Sequence, residues 1–182
     1  SQGDADFDRQ LHQALQIDEA TSQEIEASVD AILAEVREGG DTALTRLVAQ
    51  YDGIARDAVA DLSISKNEMA LACERLSPAI NEALQHAAAR IRSYHERQHG
   101  EQATDWRFED ELGNVLGQRI SPMARVGVYA PGGKASYPST ILMTAIPAKV
   151  AGVPEVVLAV PADKQRIDPV LLAAAHYAGV DE

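Results

Sequence analysis

The stretch from Arg125 to Pro161, "RVGVYAPGGKASYPSTILMTAIPAKVAGVPEVVLAVP", decides the fold. It opens on "RVGVYA" (125–130), an apolar run of strand length, and turns at Pro131, Gly132 and Gly133. It continues into "YPSTILMTAIPAKVAG" (137–152), which has the length and apolar spacing of a helix. "EVVLAV" (155–160) is a second apolar run, and "DPVLLAAAHYAG" (168–179) a second helical stretch. Short apolar runs alternating with helices predict parallel strands covered on both faces, so the fold class is α/β, with a Rossmann-like parallel sheet. Such a sheet calls for a third strand at about Asp181–Glu182, where the sequence stops. The expectation is therefore the first half of an incomplete Rossmann-like domain, in a chain cut short.

The turn between the first strand and helix, "GVYAPGGKAS" (127–136), is close to a phosphate-binding loop without being one. Gly127 and Gly132 have the required gap, but Gly133 intrudes before Lys134, and Ala135 stands where a magnesium-holding hydroxyl belongs. The dinucleotide fingerprint G-x-G-x-x-G is also missing. What remains is a strand, a tight Gly-Gly turn and a helix start, a geometry that turns backbone N–H groups toward an anion or the edge of a cofactor.

Working back toward the N-terminus, the chain reads as punctuated helices. "TSQE" (21–24) has the form of a capping box and is followed by Ile25, Val29, Ile32, Leu33 and Val36 at helical spacing. Gly39-Gly40 predicts a C-cap, and Asp41 the start of a second helix carrying Leu44, Leu47, Val48 and Tyr51. "SKNE" (65–68) opens a third helix with Met69, Ala72, Cys73 and Leu76. Ser77-Pro78 opens a fourth, with Ile80, Leu84, Ala87, Ala88, Ile91 and His95, running to about Gln98. Between the fourth helix and the α/β stretch the period drops to two. "RFE" and "VLGQRI" flank Gly113-Asn114 and predict a hairpin. The organisation expected is an N-terminal arm (1–24), a helical region with the β-hairpin (25–124) and the first half of the cofactor domain (125–182).

Composition narrows the function. Sixteen Lys and Arg against 28 Asp and Glu give a net charge of −12, which repels a phosphate backbone and argues against nucleic-acid binding. A single cysteine, Cys73, rules out an internal disulfide and a cysteine metal cluster. There is neither a signal-like start nor a membrane-length apolar window, so no membrane role and a cytoplasmic location are expected.

Candidate chemistry outside the turn is sparse. His95 and His99 stand four apart, which sets both imidazoles on one helix face as zinc would require, and equally as two polar residues near a helix C-terminus would stand. No third or fourth ligand is evident nearby. Ser136, Ser139 and Thr140 fall at a helix start, where capping accounts for them before nucleophilic catalysis does, and G-x-S-x-G is absent.

Residues 125–161 also closely resemble the histidinol dehydrogenase family, in which a V-G-x-Y-x-P-G-G turn leads into a helix and an "IPAKVAGV" segment. "GGDTALTRLVAQYDG" (39–53) and "ERLSPAINEALQHAAARIRSYHERQ" (74–98) resemble the same family's N-terminal helices. The resemblance implies a zinc-dependent, NAD-linked oxidation of L-histidinol to L-histidine through the aldehyde, by a homodimer. It implies a cofactor-binding role for Tyr129, with Pro131, Gly132 and Gly133 shaping the turn. It also implies that the zinc ligands and the catalytic Glu-His pair lie beyond Glu182, so that these residues hold no catalytic or metal-ligating group and are inactive alone. Two alternatives stand beside it: a related dehydrogenase acting on another diol such as sulfopropanediol, and a non-catalytic dimerisation or nucleotide-binding module.

Overall fold

The structure is a computed structural model describing residues 19–102, 104–131, 136–162 and 167–182, together with Phe7 and Leu11. The N-terminal arm therefore falls largely outside the described residues. The elements run α1 (Glu19–Tyr51), a short 3-10 turn (Val59–Leu62), α2 (Lys66–Cys73), α3 (Pro78–Gln102), β1 (Trp106–Glu109), β2 (Val115–Gln118), β3 (Arg125–Tyr129), α4 (Pro138–Val150), β4 (Glu155–Ala159) and α5 (Pro169–Ala178).

Helix α1 begins at Glu19, two residues ahead of the capping box expected to start it. Its middle agrees with the predicted break: Gly40 has φ 53° and ψ −137°, a conformation that a side chain would oppose, so two helices meet there rather than one continuing. Arg46 pairs with Glu35 across the break. The start of α2 follows the sequence atom by atom. Ser65 Oγ accepts from the Glu68 N–H at 3.3 Å, and Glu68 Oε2 accepts from the Ser65 N–H at 2.8 Å. The Ser65 hydroxyl, which donates to Glu68 Oε2 at 2.7 Å, and then the Ser65 N–H hold the exposed Glu68 carboxyl below its usual range. Ser77 caps α3 by accepting from the Ile80 N–H at 3.4 Å, and α3 extends to Gln102, one turn past the expected end.

Strands β1 and β2 form the expected antiparallel hairpin, with Phe108 opposite Leu116. Asp110 closes its loop: one carboxylate oxygen accepts from the N–H groups of Leu112 and Asn114, the other from the Asn114 side-chain amide. Strands β3 and β4 are parallel, in register from Arg125 opposite Glu155 to Tyr129 opposite Ala159. A right-handed crossover is the rule for such a strand–helix–strand unit.

One core serves α2 to α5 and the parallel sheet together. Ile141, Leu142, Ala145 and Ile146 of α4, Val156 of β4, Leu84 and Ala88 of α3, and Met69 and Ala72 of α2 all belong to it. Helix α5 stands at its centre. Ala173, Ala174 and Ala175 are all fully buried, and three successive residues at about 100° each cover most of a helix's circumference, so α5 is enclosed by α2, α3 and α4. Alanine at those positions lets the neighbouring helices approach closely. The Tyr177 hydroxyl ties α5 to α3, donating to Asn81 Oδ1 at 2.6 Å and accepting from Gln85 Nε2 at 3.0 Å.

The strands were expected to be covered on both faces; among the described residues β4 is at least partly buried from Glu155 to Leu158, whereas β3 is covered on one face only. In β3, Val126 and Val128 pack against the core while Arg125, Gly127 and Tyr129 are exposed. The reason lies in R-V-G-V-Y itself: a glycine among apolar neighbours disguises a period of two, which is the mark of a strand buried on one face only.

After α5 the chain turns at Gly179 (φ 83°) and lies beside β4. The Asp181 N–H donates to the Val156 carbonyl at 2.9 Å, and the Leu158 N–H donates to the Glu182 carbonyl at 2.7 Å. These residues occupy the place of the third parallel strand. The Asp181 carboxylate meets Lys66, Lys149 and the Val156 N–H. Burial pushes its pKa up, but the bonds from Lys149, Lys66 and Val156 outweigh that and hold it well below the usual value of 3.8. A carboxyl depressed on folding stabilises the fold above its unfolded value, so this contribution is present at neutral pH and is lost as pH falls below about 3.8.

Candidate functional site

In an open α/β sheet, ligands bind beyond the carboxyl ends of the strands. At that edge stand Tyr129, the last residue of β3, then buried Ala130 and half-buried Pro131. Ala130 is fixed by its N–H, which donates to the Ala159 carbonyl at 3.1 Å and extends the ladder one residue past the strand. The Tyr129 side chain lies on the open face of the sheet and is 61% exposed. Gly127, two residues back on the same face, has nothing within 4 Å of where a side chain would begin. Exposed Ala159 lies opposite Tyr129 in the neighbouring strand. A phenol ring beside small residues leaves a flat, open apolar strip. Gly132 and Gly133, expected to form the turn, lie outside the described residues, as do Lys134 and Ala135.

The chain re-enters the edge at Ser136 and Tyr137, both exposed. Ser136 was expected to cap a helix and does not: its hydroxyl donates to Asp168 Oδ2, the carboxylate that also accepts from the Val170 N–H at 2.9 Å as the N-cap of α5. Helix α4 instead begins after Tyr137, which supplies no capping bond, with Pro138 at its first position. Pro138 brings no N–H to this first turn, and the Thr140 N–H donates to the Tyr137 carbonyl at 3.1 Å. Sequence reasoning missed the Ser136–Asp168 bond because its partners are 32 residues apart. The one local signal was Asp168-Pro169, which has the same cap-then-proline form as Ser77-Pro78.

The other candidates do not join this edge. His95 Nδ1 lies 3.0 Å from Gln98 Oε1, and both His95 and His99 border a shallow groove of about 310 Å³ with Ile120, Pro147 and Val150. Among the described residues no group of three His, Cys, Asp or Glu is placed to hold a metal ion. The larger concavity, about 430 Å³, lies along α1 at the Gly40 break and does not border Tyr129 either. Both are shallow, open grooves, so position in the topology, rather than depth, marks the candidate site. No helix among the described residues is long and apolar enough to cross a membrane.

A parallel strand–helix–strand unit packed on helices, with an exposed tyrosine at its carboxyl edge, defines an α/β protein. Comparison with known proteins makes the assignment specific. The model of the family described as histidinol dehydrogenase matches residues 15–182, and the chain belongs to that family. It is 47% identical to a histidinol dehydrogenase of Psychrobacter arcticus and 45% identical to one of Pseudomonas aeruginosa, in each case over 98% of this chain. It spans 41% and 40% of those relatives' lengths. The crystal structure of a histidinol dehydrogenase from Elizabethkingia anophelis superposes with a TM-score of 0.74 at 26% identity, over 87% of this chain and 35% of that one.

Proposed function

We propose that these residues form the cofactor edge, and the helical layer behind it, of an NAD-dependent enzyme that oxidises L-histidinol to L-histidine through the aldehyde in histidine biosynthesis. The observation that carries this reading is Tyr129, exposed on the open face at the carboxyl end of the first parallel strand. Membership of the family supports it from a second direction. NAD, when bound, accepts one hydride in each of the two oxidations. The chain's own part is to seat it: Tyr129 offers a ring to stack on and a hydroxyl to hydrogen-bond, Pro131, Gly132 and Gly133 shape the turn beside it, and Ser136 with Asp168 anchors the turn's far end.

Zinc is a different matter. The residues described here do not fit it, because they bring no three suitable ligands together. No step of the reaction is routed through a metal on these residues, and we propose that they are inactive alone. The active protein is proposed to be a cytoplasmic homodimer.

A chimera in which residues 1–182 replace the matching N-terminal part of the Psychrobacter arcticus relative tests the reading. With L-histidinol it is expected to yield about two NADH per substrate, one for each hydride step. A folded, NAD-binding chimera that oxidises sulfopropanediol and leaves histidinol untouched would favour the diol reading instead. A folded chimera that oxidises neither would favour a non-catalytic module.

A further inference from the structure

The Asp181 carboxylate brings together α2, the end of α4 and the start of β4. Lys66, the first residue of α2, donates to Oδ1 at 2.6 Å. Lys149, at the end of α4, donates to Oδ2 and also to the Pro154 carbonyl at 3.0 Å. The Val156 N–H, near the start of β4, donates to Oδ2 at 2.8 Å. That last bond is unusual in kind: a side-chain carboxylate takes the place of a backbone carbonyl at the head of a parallel ladder. Only two backbone bonds among the described residues join Asp181 and Glu182 to β4, and local opening is easiest where so few bonds hold. Arg125, which reaches Glu155 at 3.1 Å and Glu182 at 3.6 Å, adds only solvent-exposed pairs to the same corner.

We propose that Asp181 is a latch that fixes the third strand position of the sheet, so that removing it frees residues 181–182 from β4 while the α2–α5 core stays folded. The two lysines contribute unequally. The side chains of Lys149 and Asp181 are each 19% exposed, whereas that of Lys66 is 67% exposed. A half-buried pair resists screening, and its loss strands a charge; an exposed pair is weak and salt-sensitive. Lys149 is therefore the working partner, and Lys66 an auxiliary one.

Site-resolved amide hydrogen exchange on the Psychrobacter arcticus chimera tests the latch. In Asp181→Asn and in Lys149→Met, exchange at Val156 and Leu158 is expected to accelerate by more than about tenfold, while Ala174 and Ala175 in α5 change by less than about threefold. Lys66→Met is expected to accelerate the β4 amides by less than about threefold, an effect that vanishes at high salt. The latch is overturned if the amides of β4 and α5 accelerate together, if Leu158 keeps its protection, or if Asp181→Asn fails to fold, since the core must stand without it.

Discussion

Replacing Ile146 by alanine is expected to destabilise the fold by about 2–4 kcal/mol, a drop in Tm of about 5–15 °C. Ile146 is fully buried in the core shared by α4, α5 and the parallel sheet, and its neighbours Ile141, Leu142 and Ala145 are buried with it. Truncation there removes three carbons' worth of apolar burial and leaves a cavity that packed neighbours on several sides cannot close. Met143 on the same helix is the internal control. It is 57% exposed, so Met143→Ala is expected to change stability by no more than about 0.5 kcal/mol. Thermal melts of the two variants would separate a core organised around α4 from one organised elsewhere. Equal losses would contradict the packing described.

The second large effect is expected on the cofactor. In the Psychrobacter chimera, Tyr129→Ala is expected to raise the KM for NAD by roughly tenfold, with the KM for histidinol changing by less than about twofold. Losing an aromatic contact and a hydrogen bond removes about 1–2 kcal/mol, which corresponds to that factor. Because Tyr129 is 61% exposed, its truncation has little to lose in packing, so a kinetic change would not be a folding defect in disguise. Tyr129→Phe divides the effect: a variant near wild type assigns it to the ring, and one resembling Tyr129→Ala assigns it to the hydroxyl. Equal increases in both KM values would count against cofactor binding at this residue.

Much of this architecture was legible in the amino-acid sequence because it depends on neighbours along the chain. Ser65 with Glu68, Ser77 with Pro78, and Gly39 with Gly40 are local devices, and each marks a helix boundary in the structure. The parallel unit was legible for the same reason, since strand length, helix length and turn residues are all local. What sequence did not reveal depends on distance. The Asp181 latch joins residues 115 and 32 positions away, and the Ser136–Asp168 bond spans 32. Nothing in the composition of either site separates these groups from ordinary surface charge.

The open face of β3 is a different kind of miss. Its alternation was present in R-V-G-V-Y, and Gly127 concealed it by presenting no side chain on the exposed face. That same glycine leaves the strip beside Tyr129 unobstructed. Position rather than residue chemistry distinguishes Tyr129 from Tyr51 and Tyr94, which are also exposed but stand on helices away from the carboxyl edge of the sheet.

Hydrogen exchange on the chimera with and without NAD tests the assignment of the carboxyl edge most directly. NAD is expected to slow exchange at the amides of Tyr129, Ala130, Ser136 and Tyr137 and to leave the hairpin at 106–118 unchanged. Protection centred on the hairpin, or NAD binding with no protection near Tyr129, would contradict it.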